Sequence, residues 1–328
     1  MSDSSDGRVS PVLVGLAFLV VCVVWGSTYL AMLFAIETIP PFLMVSFRFL
    51  LAGAILFPIA WRRSGERIGW RQWWSSGLAG TLMLCGGTGM VAWSEQHISS
   101  ASASVLVATV PLWLVVLDWL LFRGGRPSVL VVFGLGSGLL GVLLMIGPGE
   151  VLGERLDVRG VICILCGCVF WSLGSLYSRS GALPKSTFLA SAMEMLVAGV
   201  VSVLIALILG QADGFVIGAV STKSWLAVLY LVFAGSLLAF SAYSWLMRVA
   251  SPSLVGTYAY INPLVAMLLG ITLGGEILPL RAWLGAAVIL GSVVLISTVG
   301  RSGWRRQSPR PVASRSCRGV AGAVGCEE

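Results

Sequence analysis

"FLMVSFRFLLAG" occupies Phe42–Gly53, and "FLASAMEMLVAG" occupies Phe188–Gly199, 146 residues later. Both open on Phe-Leu and close on Ala-Gly. Both carry their one charged side chain in the same place, Arg48 in the first and Glu194 in the second. Two further pairs keep this order. "GSTY" at Gly26–Tyr29 returns as "GSLY" at Gly174–Tyr177, offset 148, and "ASASVL" at Ala101–Leu106 resembles "ASPSLV" at Ala250–Val255, offset 149. Three pairs in one order at a near-constant spacing describe a duplicated chain.

Composition says where the copies sit. The chain is 57% hydrophobic and 11% charged, against about 25% charged in a soluble domain. So few charges cannot cover a soluble surface, and the chain reads as an integral membrane protein. A helix needs about 20 apolar residues to cross the hydrocarbon. Ten such stretches lie near 12–34, 41–60, 73–93, 101–122, 129–147, 159–179, 187–209, 224–245, 253–274 and 281–299. Several begin beside a proline, which suits a first helical turn because its missing N–H would be unpaired there anyway. The repeat offset spans five of these stretches. Five is odd, so the second copy enters the bilayer upside down.

The expected fold is therefore all-α integral membrane, ten transmembrane helices as two inverted five-helix repeats. The layout is a cytoplasmic N-terminal segment (1–11), a first repeat (12–147), an external linker (148–158), a second repeat (159–300) and a disordered basic cytoplasmic tail (301–328). Inverted repeats are a transporter architecture, with substrate near the bilayer midplane between the copies.

Lysine and arginine set the orientation. With the N-terminus cytoplasmic, sixteen basic residues fall on the inner side and four on the outer, leaving Arg48 alone within a stretch. Both termini are expected inside a plasma membrane. The net charge of +7 then reflects orientation signals and headgroup contacts, not a nucleic-acid face. The seven cysteines have no matching histidine cluster, so neither a metal nor another cofactor is expected. "LPKST" at Leu183–Thr187 lacks the upstream glycine spacing of a phosphate loop, so no ATPase is implied.

"VVWGSTYLAMLFAIETIPPFLMVSFRFLLAG" (Val23–Gly53), "SEQHISSASASVLVATVPLWLVVLDWLLFRG" (Ser94–Gly124) and "PSLVGTYAYINPLVAMLLGITLGGEIL" (Pro252–Leu278) resemble segments of EamA-type members of the drug/metabolite transporter superfamily. The likeness covers roughly residues 12 to 300. It implies ten helices, a central cavity, no ATPase domain, and export of amino acids, other metabolites or drugs from the cell across its inner membrane. The chain departs from the family at one turn. A "GE" pair follows the ninth stretch at Gly275-Glu276, but the first-half counterpart reads "FRGGRP", with no acid.

The expected function is a secondary exporter working by alternating access. Its partners are a small-molecule substrate, the lipid bilayer, and protons or a counter-substrate. An intramembrane enzyme or a channel is the alternative. An enzyme needs convergent catalytic groups, and the single histidine speaks against that. A channel wants a filter repeated around an axis.

Candidate substrate-binding residues are Trp25, Tyr29, Arg48, Trp93, Trp113, Trp171, Tyr177, Tyr258, Tyr260 and Asn262. Tyrosine and tryptophan offer a broad apolar face with one polar handle, and a mid-span amide must find partners where water is scarce. Arg48 keeps its charge at ordinary pH, so something must receive it. It either locks helices through carbonyls or binds a substrate carboxylate, and Glu194 is its repeat counterpart and potential ion-pair partner. Glu95, His97, Asp118 and Glu194 are candidates for gating or proton coupling. Pro111 and Pro263 are expected as paired helix breaks inside the fourth and ninth stretches.

Overall fold

The computed structural model describes residues 10–98, 103, 106–122, 124–146, 157–274 and 279–304. The N-terminal segment before residue 10, most of the expected external linker, Gly275-Glu276 and the tail beyond Trp304 lie outside the described residues. Every regular element among the described residues is helical. We number them α1 (Pro11–Ile36), α2 (Pro41–Ser64), α3 (Trp70–Gly80), α4 (Gly89–Ser94), α5 (Val110–Leu121), α6 (Val129–Ile146), α7 (Val158–Ser180), α8 (Thr187–Ile208), α9 (Thr222–Tyr230), α10 (Ser241–Val249), α11 (Pro252–Gly256), α12 (Tyr258–Gly274) and α13 (Leu280–Trp304). A π-helical segment, Thr81–Thr88, joins α3 to α4, and another, Leu231–Phe240, joins α9 to α10. Helix α13 runs four residues into the stretch expected to be a disordered tail.

Among the described residues, six helical stretches are long and apolar enough to cross a membrane: α1, α2, α7, α8, the continuous run Thr222–Val249, and Leu280–Val299 within α13. Their outer faces expose Leu16, Leu204, Phe233 and Trp283, side chains that lipid can cover. The protein is an all-α, multi-pass membrane protein.

Local sequence explains the helix ends. Pro11, Pro41 and Pro252 open helices in the first turn, where no N–H is needed. Ser186 and Ser221 cap α8 and α9 through their hydroxyls. Gly65 (φ 61°) ends α2, and Gly210 (φ 66°) follows α8. Both adopt the left-handed conformation that glycine reaches without steric cost.

The main contacts run between the two halves of the chain. α2 packs along α8, α6 along α13, α1 against the Thr222–Val249 run, and α7 against the Trp70–Ser94 run. The α2–α8 contact is reciprocal. A Cβ on Gly53 would lie 2.8 Å from Leu196 Cγ, and one on Gly199 would lie 2.7 Å from Leu50 Cγ. Each leucine fills the notch left by the other helix's glycine. Small residues allow such close backbone approach, which drives helix association where lipid removes the hydrophobic gain. Residue numbers rise on one helix as they fall on the other, so α2 and α8 run antiparallel. On α6 and α13, Gly134 faces Ile296 and Gly141 faces Ile289, again antiparallel.

The helix ends are reciprocal too. Glu66, just after α2, accepts the backbone N–H groups of Lys185 (2.9 Å) and Ser186 (2.7 Å) at the start of α8. Gln211, just after α8, accepts the N–H of Phe42 at the start of α2 (2.9 Å). Each helix thus has its orphan N-terminal donors met by the residue that follows the other.

Candidate functional site

Where the halves meet, α1, α2, α4, α5, α7, α12 and both π-helical segments line a small cavity of about 80 Å³. Six of the expected binding residues line it: Trp25, Tyr29, Arg48, Trp171, Tyr258 and Asn262. The rings form one cluster. Trp25, from the first half, meets Trp171, from the second, edge to face with centroids 5.3 Å apart. Trp25 also packs on Tyr258 at 4.9 Å.

Both π-helical segments reach this cavity, Leu84, Gly87 and Thr88 from the first and Phe240 from the second. Wide turns of this kind are frequent at functional sites. The second segment also receives two first-half donors. Trp25 Nε1 donates to Gly235 O (3.2 Å), and Arg48 Nε donates to Ser236 Oγ (2.8 Å).

Arg48 is 5% exposed, with its guanidinium carbon 4.9 Å from the centre of the Phe49 ring. Glu194 is not its partner. Among the described residues Glu194 forms no ion pair, and the Arg248 guanidinium donates to Lys185 O (2.7 Å) and Pro184 O (3.1 Å). Equivalent positions in two antiparallel helices point the two charges to different neighbours. Glu194 is 1% exposed and its Oε2 has no hydrogen-bond partner.

The other expected residues lie off the cavity. Tyr260 turns away because its hydroxyl donates to Leu135 O (3.0 Å) in the α6–α13 cluster. Tyr177 donates to Ser75 Oγ (3.3 Å). Trp93 is occupied by His97, ring on ring at 4.1 Å. Trp113 packs against the main core, its Nε1 buried without a partner. Glu95 is buried, and among the described residues neither carboxylate oxygen has a hydrogen-bond partner. Asp118 lines a separate cleft with Arg126, Arg179 and Arg248.

The two prolines are not a matched pair of breaks. Pro111 sits in the first turn of α5, whereas Pro263 lies inside α12. The matched breaks fall at Thr109 and Thr257, offset 148. Thr109 N–H and hydroxyl both donate to Leu106 O (3.1 and 2.6 Å). Thr257 N–H and hydroxyl do the same to Leu254 O (3.2 and 2.7 Å). Such side-chain bonds compete with the regular helical pattern.

Tyr243 is the residue that sequence reasoning missed. It is fully buried, packs on Trp25 with centroids 5.0 Å apart, accepts from Trp171 Nε1 (3.1 Å) and bonds Ser175 Oγ (2.7 Å). Its only sequence signal is a polar handle in the apolar run "AFSAYSW". Tyr243→Phe keeps the ring but strands a buried indole N–H, at a cost of about 1–3 kcal/mol. A melt of the purified protein should show a midpoint lowered by several degrees, and an unchanged midpoint would refute the anchoring role.

Comparison with known proteins identifies the family. The model of the EamA-like transporter family matches twice, over residues 13–147 and 158–298. The chain is 38% identical over 280 residues to the uncharacterized inner membrane transporter YedA of Escherichia coli strain K12, covering 85% of this chain and 88% of that protein. It is 25% identical over 284 residues to the uncharacterized transporter YoaV of Bacillus subtilis strain 168, covering 85% and 94%. A solved crystal structure superposes with a TM-score of 0.71 at 22% identity, over 88% of this chain and 98% of its own, a likeness that bears on the fold alone. The protein is a multi-pass membrane transporter, and the chain belongs to the EamA-like transporter family of the drug/metabolite transporter superfamily.

Proposed function

We propose that the chain is a secondary exporter of small metabolites, built from ten crossings in two oppositely inserted halves, with both termini cytoplasmic, working by alternating access through the central cavity. The observation that carries this reading is the reciprocal antiparallel packing of α2 on α8, Leu50 into Gly199 and Leu196 into Gly53. Two halves related in this way can exchange conformations, so that a cavity between them opens first to one side and then to the other. The matched Thr109 and Thr257 breaks, the paired π-helical segments and the double family match support it.

The bias of basic residues supports a Glu66 end inside and a Gln211 end outside. Energy comes from an ion gradient, from exchange or from the substrate's own gradient. Protons or a counter-substrate would enter there, with Glu95 and Glu194 as the buried acids available to them.

The test is flux through purified protein in liposomes. Saturable, counterflow-competent transport is expected. Arg48→Ala and Glu194→Gln at matched incorporation should each cut it severely. Ohmic current in its place would indicate a channel, and chemical conversion an enzyme. Unchanged flux in both variants would remove these two residues from the mechanism.

A further inference from the structure

The substrate class can be narrowed, on the footing of the carrier reading. We propose that Arg48 seats a substrate carboxylate and that the substrate is a small net monoanion whose N–H or O–H group donates to Asn262.

Arg48 uses one donor, Nε, on Ser236. Ser236 Oγ in turn donates to Leu231 O (3.1 Å), which fixes the guanidinium against the second π-helical segment. Among the described residues, neither terminal nitrogen of Arg48 has a hydrogen-bond partner, and the one ion pair found, Lys223 with Glu37, is elsewhere. The Phe49 ring eases the burial but neutralises nothing. Two parallel N–H donors on a planar fork match a carboxylate.

Asn262 presents the opposite need. It is 3% exposed; its amide lies beside the Tyr29 hydroxyl, and among the described residues its Oδ1 has no donor. Both residues line the same cavity. A ligand that accepts at one and donates at the other satisfies both.

Charge and size restrict the ligand further. Among the described residues no aspartate or glutamate lines the cavity, so a zwitterion would rest its ammonium on ring faces alone, and a dianion would leave surplus charge beside one guanidinium. Unpaired charge in a low dielectric is strongly disfavoured. A water needs about 10–15 Å³ of such space, so the cavity of about 80 Å³ has room for a molecule of only several non-hydrogen atoms. Short hydroxy- or amido-carboxylates fit, and the walls of Trp25, Trp171 and Tyr258 cover their hydrocarbon part.

The experiment uses the full chain in liposomes, with labelled 3-hydroxybutyrate as the counterflow probe. Competitors are butyrate, methyl 3-hydroxybutyrate, zwitterionic 3-aminobutyrate and butylamine. Saturable exchange of 3-hydroxybutyrate is expected. Butyrate, which lacks the donor, should compete about tenfold less well, and the uncharged ester about a hundredfold less well. Asn262→Leu should abolish the preference for 3-hydroxybutyrate over butyrate. Arg48→Lys should retain part of the exchange and Arg48→Ala none. The ligand series on the unmodified protein needs no variant to fold.

Ester, amine or zwitterion exchanging as well as the hydroxy acid would overturn the assignment while leaving a carrier. So would Asn262→Leu weakening butyrate and hydroxybutyrate alike. No saturable exchange of any probe would reject the assignment, and flux by another mode, ohmic or enzymatic, would take the carrier reading with it.

Discussion

Gly80→Ala should destabilise the fold severely. Helices α3 and α8 pass so closely that a Cβ on Gly80 would fall on the carbonyl oxygen of Glu194, with Glu194 Cα and carbonyl carbon each 2.7 Å away. All three atoms are backbone, so no rotamer change relieves the overlap. Nor can α8 withdraw, because its other side is interlocked with α2 through Leu50 and Gly199. Overpacking in a tight core costs about 1–3 kcal/mol when side chains can yield. Here the main chain must move, and a loss above about 3 kcal/mol is a large part of a stability of about 5–15 kcal/mol. The control is Gly15→Ala on α1, where nothing lies within 4 Å and better helix propensity should give a gain of up to about 1 kcal/mol. Detergent-extracted protein, measured by size-exclusion recovery and thermal melt, should separate the two variants sharply. Equal recovery would mean that α3 and α8 do not meet as described.

These contacts also mark how far the sequence could be read. Membrane class followed from charge content, and helices lie within each of the ten apolar stretches. The Phe42–Gly53 and Phe188–Gly199 likeness pointed to the helix pair that interlocks through Gly53 and Gly199. Six aromatic or polar candidates reach the cavity because they lie on helices that line it. What stayed hidden depends on partners far along the chain. Gly65-Glu66 and Gly210-Gln211 share a pattern that acquires meaning only when each helix start lies beside the other helix's end. Arg48 and Glu194 occupy equivalent positions in the two stretches, yet Arg48 reaches Ser236 while Glu194 Oε2 is left without a hydrogen-bond partner among the described residues. Pro111 sits in the first turn of α5, directly after the interruption at Thr109, whereas Pro263 lies inside α12, so the two prolines do not mark equivalent places. The orientation of Tyr260 away from the cavity is decided by a single carbonyl, Leu135 O, which no periodicity reveals.

The reciprocal caps give the second large effect: Glu66→Ala and Gln211→Ala should open the cavity towards opposite sides of the membrane. Each cap ties the end of one half's helix to the start of the other's, at opposite ends of the α2–α8 pair. Opening at either end must part such a tie. At the Glu66 end two N–H groups meet one carboxylate, with Arg248 holding Pro184 O and Lys185 O beside it. At the Gln211 end a single neutral bond is assisted by Thr38 Oγ1 donating to Ser224 Oγ (2.8 Å) and by Lys223 on Glu37 (2.6 Å). Partial exposure discounts both ends. Losing the charged cap should cost about 1–2 kcal/mol and losing the neutral one about 0.5–1 kcal/mol. Those figures correspond to population shifts of about tenfold and about threefold. Cys168 lines the cavity and can report them once the other six cysteines are replaced. A membrane-impermeant thiol reagent applied to right-side-out and inside-out vesicles should label Cys168 faster from the cytoplasmic side in Glu66→Ala and faster from the external side in Gln211→Ala. Faster labelling from the same side in both variants would contradict opposite insertion of the halves. Unchanged labelling in both would show that these ties do not hold the cavity shut.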